Sequence, residues 1–282
     1  MNKHLVLQTD FGLVDGAVSA MYGVALSVNP DLKVFDLTHE ITPYNIWEGS
    51  YRLYQTITYW PKGTVFVSVV DPGVGTDRSS IIAKTTDGKY IVTPDNGTLT
   101  HVYENIGIEE IREIDESTNR LPNSGESYTF HGRDVYAYTG ARLAAGIIDF
   151  EASGRRLEPK EIVLLDTPQP EARDGIVSGV IDILDVRFGN LWTNICRELF
   201  VSAGIAYGDV LEVTIAHNNR QVYKSGVVYG RSFAETSLGE PLVYVNSLNN
   251  LGIAINQGSF AKAYNIRTGS NWTIELRKKE LS

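Results

Sequence analysis

Near residue 166 the hydrophobic pattern of this 282-residue chain changes period, and that change limits the folds open to it. Before it, short β-branched runs alternate with longer amphipathic stretches. HLVLQ (4–8), LKVFDL (32–37) and TVFVSVV (64–70) read as buried strands. Between them, Ala17, Val18, Met21, Val24, Ala25 and Val28 share one helical face, which Pro30 ends. Ile46, Ser50, Leu53 and Ile57 form the inner face of a second helix that stops before Trp60-Pro61. SIIAKT (80–85) and KYIVT (89–93) flank Asp87-Gly88, a hairpin signal. Helices are expected from Leu99 to about Asn105 and from about Arg133 to Ala145, with Gly146 as the second one's stop. Strands alternating with helices predict an α/β domain with a largely parallel central sheet over residues 1–166.

DTPQPEARDG (166–175) then reads as a linker. Beyond it IVSGVIDIL, DVLEVTIA, QVYKSGVVY, PLVYVNS, LGIAIN and WTIELRK alternate apolar and polar residues between Gly, Asn and Pro. That texture predicts a smaller all-β domain, barrel-like or a sandwich, over residues 175–282.

Charge and composition exclude several functions. With 25 basic against 34 acidic residues the net charge is -9, so an electropositive nucleic-acid surface is not expected. Apolar runs fall far short of the roughly 20 residues of a membrane span, and no basic-then-apolar leader opens the chain. Cys196 is the only cysteine, which rules out an internal disulfide. A cytoplasmic protein is the expectation.

Polar residues gather where strands end. HLVLQT runs into Asp10-Phe11-Gly12, TVFVSVV into Asp71-Pro72-Gly73-Val74-Gly75, and KYIVTP into Asp95-Asn96-Gly97. In the second half VIDIL leads to Asp185 and Phe188-Gly189-Asn190, and LVYV to Asn246-Ser247. Each alone is ordinary turn chemistry. Together they point to a ligand edge, since open α/β sheets bind beyond the carboxyl ends of their strands. The Gly-rich stretch after Asp71 is no phosphate loop, because no Gly-Lys-Ser/Thr follows. Phe130-His131-Gly132-Arg133-Asp134 precedes a helix and reads alone as a helix-entry turn. His4, His39, His101 and His217 read as structural or surface residues, and no histidine pair has metal-ligand spacing.

TDFG (9–12), Thr42-Pro43-Tyr44, VVDPGVGT (69–76), PDNG (94–97), FHGRD (130–134) and FGNLWTNI (188–195), in that order, resemble the S-adenosyl-L-methionine hydroxide adenosyltransferase family, related to the bacterial fluorinase and chlorinase. The resemblance implies a homotrimer in which the ligand lies between the N-terminal domain of one subunit and the C-terminal domain of the next. It implies a catalytic triad of Asp71, Arg78 and His131. It also implies substrate contacts from Asp10, Tyr44, Phe130, Asp185, Asn190, Asn246, Ser247, Asn256 and Gln257. No metal and no cofactor are implied; S-adenosyl-L-methionine is the substrate. The halogenase pattern differs at the positions of Asp71 and His131, has an arginine where Leu248 stands, and carries a long insertion where this chain has the tight Thr86-Asp87-Gly88 turn. The resemblance therefore implies water as the nucleophile and adenosine and methionine as products. Two other readings stay open: a protein that binds S-adenosylmethionine without turnover, and a metal-dependent hydrolase using Asp10, Asp15, Asp71, Asp95 and His131. A methyltransferase is disfavoured, because no G-x-G-x-G loop follows the first strand.

Overall fold

The computed structural model describes residues 3–279, which fold as two compact units divided between Leu165 and Asp166. The first unit contains strands β1 (His4–Thr9), β2 (Lys33–Thr38), β3 (Val65–Val69), β4 (Ser80–Thr85), β5 (Tyr90–Pro94), β6 (Ile108–Glu113) and β7 (Arg156–Leu157). Its helices are α1 (Ala17–Val28), α2 (Ile46–Ile57), α3 (Thr100–Asn105) and α4 (Tyr138–Ala145). The strands form one sheet in the order β2-β1-β3-β5-β4-β6-β7. The first four are mutually parallel, and β4, β6 and β7 extend the sheet antiparallel. The antiparallel turn of direction is local: Gly88, at φ +83°, closes the β4–β5 hairpin, where its N–H donates to the Thr85 carbonyl.

Side-chain alternation along the parallel strands sets two cores, one on each face. Leu5, Leu7, Val65, Val67 and Val69 pack with Met21 and Ala25 of α1 and Ala141 and Leu143 of α4. Val6 and Phe66 point the other way, onto Leu53 and Ile57 of α2 and Val102 of α3. The α1 face expected from spacing is the buried one: Val18, Met21, Val24 and Ala25. Asn45 caps α2 by accepting from the Glu48 N–H at 3.1 Å.

The helix expected to begin near Arg133 is divided. Gly132–Ala137 form a π-helical turn, and α-helical geometry starts only at Tyr138. Apolar periodicity does not distinguish the two, since a single π turn shifts the facing residues by a fraction of a turn. Gly146 ends α4 in the left-handed region at φ +71°.

The second unit contains β8 (Glu171–Arg173), β9 (Ile176–Asp185), β10 (Asn190–Cys196), β11 (Val210–His217), β12 (Arg220–Tyr229), β13 (Pro241–Val245), β14 (Asn250–Ile255) and β15 (Trp272–Lys278). Helices α5 (Arg197–Ser202) and α6 (Phe260–Tyr264) are short. Seven strands close a barrel, β9-β10-β14-β13-β12-β11-β15 and back to β9. Closure depends on β9 changing neighbours along its length. Ile176–Val180 pair with β15, and Ile181–Asp185 pair with β10. Gly179 sits near the change, where a Cβ would fall 2.5 Å from Asn194 Oδ1 and 2.6 Å from Ile195. The barrel interior is filled by Ile181, Leu191, Leu211, Val213, Val243, Ile253 and Ile274 among others. Within the stretch expected as a linker, β8 adds an edge to β9, and the Asn194 amide donates to the Pro168 carbonyl.

Close packing of α4 on the sheet gives a stability prediction. A Cβ on Gly140 would lie 2.4 Å from Val67 Cγ2, and Val67 is a stiff, fully buried β-branched residue. Overpacking of this kind costs roughly 1–3 kcal/mol, against a helix-propensity gain of about 1 kcal/mol. Gly140→Ala is expected to lower the unfolding free energy by about 1–2 kcal/mol in urea titration. An unchanged or raised midpoint contradicts this packing.

Candidate active site

Parallel pairing brings the carboxyl ends of β1, β3 and β5 to one edge, and so brings Asp10, Asp71 and Asn96 there. Two side-chain contacts fasten that edge. The Asn96 amide donates to the Val70 carbonyl at 2.8 Å. His39 approaches Thr9 Oγ1 at 2.8 Å and Asp36 Oδ1 at 2.9 Å, and its carbonyl accepts the Gly12 N–H. His39 therefore anchors the loop that carries Asp10 and Phe11. The Tyr22 hydroxyl adds a further bond to Asp36.

Asp71, Arg78 and His131 converge. Arg78 grips Asp71 as a fork, Nε on Oδ1 at 2.7 Å and Nη2 on Oδ2. The same Nη2 lies 3.5 Å from His131 Nδ1. Both partners of the ion pair are nearly buried, with side-chain exposures of 11% for Arg78 and 5% for Asp71. Asp71 and His131 line a cleft of about 430 Å³ together with Phe11, Asp15, Val69, Val74, Thr129 and Phe130. Phe11 and Phe130 meet edge to face with their ring centres 5.8 Å apart.

Electrostatics follow from this packing. Burial opposes the Arg78 charge, but Tyr136, Asp71 and Glu116 outweigh it, so its pKa rises and it stays a cation. Burial pushes the Tyr136 phenol well above its ordinary value. His131 moves down from its ordinary 6.5, chiefly through burial and further through the Arg120 and Arg78 charges, against the pull of Glu116 and Asp71.

Asp10 and Tyr44 form a second group in this unit. Asp10 Oδ2 accepts the Tyr44 backbone N–H at 2.8 Å, and this holds Tyr44 at φ +67° with its ring exposed. Neither residue lines the cleft itself; Phe11, next to Asp10, does.

In the barrel, Asp185, Asn190, Asn246, Ser247, Asn256 and Gln257 line one pocket of about 1020 Å³. Turn backbones bring them together. Gly189, at φ +74°, turns the chain from β9 to β10, and its N–H bonds to the Asp185 carbonyl. The Asn190 amide donates to Asp185 at 3.3 Å. Asn246 Oδ1 accepts the N–H groups of Leu248 and Asn250, while its buried Nδ2 has no hydrogen-bond partner. Asn256 differs from expectation in one respect: its NH₂ is committed to the Phe233 and Thr236 carbonyls, both at 2.9 Å. It shapes the wall rather than offering that amide to a ligand.

Sequence reading missed several lining groups. In the barrel pocket these are Trp192, Tyr244, Phe233, Arg187 and Arg231. Trp192 Nε1 donates to the Tyr244 hydroxyl at 2.9 Å, and burial raises the Tyr244 phenol to about 12. Around the triad they are Ser80, Glu116, Arg120 and Tyr136. Trp192 lies within FGNLWTNI but nothing there singles it out as lining, and no motif marks the others.

Models of the N-terminal and C-terminal domains of SAM hydroxide adenosyltransferases match residues 5–154 and 179–273. The chain belongs to that family. An (R)-S-adenosyl-L-methionine hydrolase of Methanocaldococcus jannaschii is 40% identical, covering 76% of this chain and 74% of the relative. A protein of the same name from Salinispora tropica is 35% identical over 94% and 95% of the two chains. A fluorinase of Actinopolyspora mzabensis is 32% identical over 94% of each. A solved structure of an uncharacterized conserved protein from Thermotoga maritima superimposes with a TM-score of 0.87 at 35% identity, covering 97% of this chain and all of that one. Relatives of this chain thus carry the names of both hydrolases and a fluorinase.

Among the described residues no three His, Cys, Asp or Glu side chains group as metal ligands, and no helix is long and apolar enough to cross a membrane. Of the carboxylates in the metal-hydrolase reading, Asp71 is held in the Arg78 fork and Asp95 accepts the Val163 N–H.

The lowered His131 pKa predicts a pH dependence. The native state binds fewer protons than the unfolded chain between the folded midpoint and about 6.5. This contribution to stability is complete above about 6.5 and is lost as pH falls toward the folded midpoint. NMR titration of the His131 ring should give a midpoint below 6.5; one above it contradicts this electrostatic picture.

Proposed function

We propose that the protein hydrolyses S-adenosyl-L-methionine to adenosine and L-methionine, with water attacking the ribose C5′ carbon. The observation that carries this reading is the cluster of Asp71, Arg78 and His131, in which Arg78 contacts the other two and Asp71 and His131 line one cleft. Hydrolases at 35–40% identity in the comparison support it.

The chemistry asks little of the protein beyond alignment and an activated oxygen. The water oxygen forms a bond to C5′ as the C5′–S bond breaks, and its electron pair goes to sulfur as a neutral thioether. One proton leaves the oxygen. Asp71, fixed by the Arg78 fork, accepts a hydrogen bond from the water and orients it. His131, uncharged above its lowered midpoint, takes the proton. A nearly buried carboxylate in this position repels a halide, which disfavours the halogenase reaction of the fluorinase relatives. Phe11 and Phe130 supply apolar cleft wall, where loss of charge in the transition state is favoured.

The barrel pocket fits the amino-acid end of the substrate: Asp185 suits an ammonium and Asn190 and Ser247 suit a carboxylate. In this reading a homotrimer completes the site, with the cleft of one subunit and the barrel pocket of the next enclosing one molecule.

Turnover in ¹⁸O-labelled water tests the reaction: label is expected in the adenosine 5′ oxygen. Absence of adenosine, or unlabelled adenosine, overturns it. Asp71→Asn should lower kcat by roughly 10²- to 10⁴-fold with KM changed only a few-fold. An unchanged kcat removes Asp71 from the mechanism. Activity that vanishes with a strong chelator and returns with a divalent cation would favour the metal-dependent reading instead.

A further inference from the structure

His131 has a guanidinium on each side. Arg78 Nη2 lies 3.5 Å from Nδ1, and Arg120 Nη1 lies 3.5 Å from Nε2. Guanidinium groups only donate, and a neutral imidazole has a single acceptor nitrogen. One of the two approaches therefore sets a ring N–H against a guanidinium N–H, and an imidazolium would face cations from both sides.

Arg120 does not stand alone. Its Nη1 donates to Glu116 Oε2 at 3.2 Å, and its Nη2 donates to the Ser127 carbonyl at 2.8 Å. Its guanidinium lies 4.9 Å from the Tyr128 ring centre, and the Tyr128 ring meets His131 edge to face at 6.2 Å. Glu116 Oε1 accepts from Ser80 Oγ at 2.8 Å, and Ser80 Oγ is 3.4 Å from Arg78 Nη1. The contacts close a ring: Arg78, His131, Arg120, Glu116, Ser80 and back to Arg78, with Asp71 held on Arg78. Two cations and two anions surround the imidazole, so the cluster is electrically balanced when the ring is neutral and carries +1 when it is protonated.

We propose that Arg120 and Glu116 are positioning residues for His131, a counter-charged pair that fixes the imidazole beside Asp71 and Arg78 as a neutral proton acceptor. Arg120 contributes the orientation and the repulsion of positive charge. Glu116 holds Arg120 in place and limits that repulsion, so that the ring can accept a proton during turnover and release it afterwards. Nothing in the triad motifs identifies either residue; each is placed by the turn after β6. The charged and titratable groups facing His131 are Asp71 and Arg78 after β3, Glu116 and Arg120 after β6, Tyr128 in the loop before it, and Tyr136 through Ser80. Burial and the two arginines lower its pKa while Glu116 and Asp71 raise it, in keeping with the geometry.

The inference rests on the hydrolysis reading for its catalytic meaning, so the test separates the two. The His131 ring is titrated by NMR without substrate, and kcat and KM for S-adenosylmethionine are measured across pH, in wild type, Arg120→Gln, Arg120→Lys and Glu116→Gln. Arg120→Gln should move the His131 midpoint up and Glu116→Gln should move it down, with Arg120→Lys close to wild type. The acid limb of kcat should move with the midpoint. For Arg120→Gln this means a loss of about tenfold near pH 6 that recovers at alkaline pH, with KM changed less than about twofold. Midpoints that stay put, or move the same way in both neutral variants, overturn the pair's role even if wild type produces adenosine. Should Arg120→Gln not fold, the downward shift in Glu116→Gln decides. Opposite shifts in a protein that produces no adenosine would keep the positioning role and end the hydrolysis reading.

Discussion

Arg78 binds both carboxylate oxygens of Asp71 and reaches the imidazole of His131 with the same nitrogen that holds Oδ2. A charge of this kind cannot sit nearly buried without partners, and the desolvation cost is offset only when the geometry satisfies most donors. Here the direct partners come from three chain segments: Asp71 in the loop after β3, Ser80 at the start of β4 and His131 at the entry to the π turn. The ion pair therefore ties those segments together, and the shape of the cleft depends on it. Breaking one side would leave a charge buried without its partner, which costs more than the pair contributes.

Around that pair the scaffold has one task, to hold backbone ends still. Four parallel strands deliver their carboxyl ends to a common edge, and both faces of the sheet are filled, so the strands cannot slip. His39, Thr9 and Asp36 fasten the loop after β1, and Asn96 fastens the one after β3. The π turn at Gly132–Ala137 sets His131 and Phe130 at its mouth; a widened turn of this sort is frequent where a helix carries function. The barrel uses a different device. Its pocket is bounded by turns, at Asp185–Asn190 and at Asn246–Ser247, and by the loop that Asn256 holds through two carbonyls.

The family contains members named for hydrolysis and for fluorination on one architecture. An oxygen nucleophile that must lose a proton needs a base in its unprotonated form, and a halide needs donors without a nearby anion. In the hydrolysis proposed above, Asp71 and His131 are the groups assigned to the first need, and Arg78, Arg120, Glu116 and Ser80 surround them.

Periodicity carried the elements of the first unit because a helix face and a strand face are each set within a dozen residues. Val18, Met21, Val24 and Ala25 were legible in that way, as were the Asp87-Gly88 hairpin and the Gly146 stop. The motifs likewise marked Asp71, Arg78 and His131, though only through resemblance. The π turn, the β9 strand that serves two neighbours, β8 and the commitment of the Asn256 amide were not legible. Each depends on which partner a backbone or amide group finds across the fold, and many partners satisfy the same local pattern. Glu116 and Arg120 belong with these. In the chain they are a polar turn after a strand, and they acquire a role only because folding sets that turn against a histidine that lies far from Asp71 in the chain. Local order is written in neighbouring residues, but the charge around a buried ring is a sum over distant ones, and that sum exists only once the chain has folded.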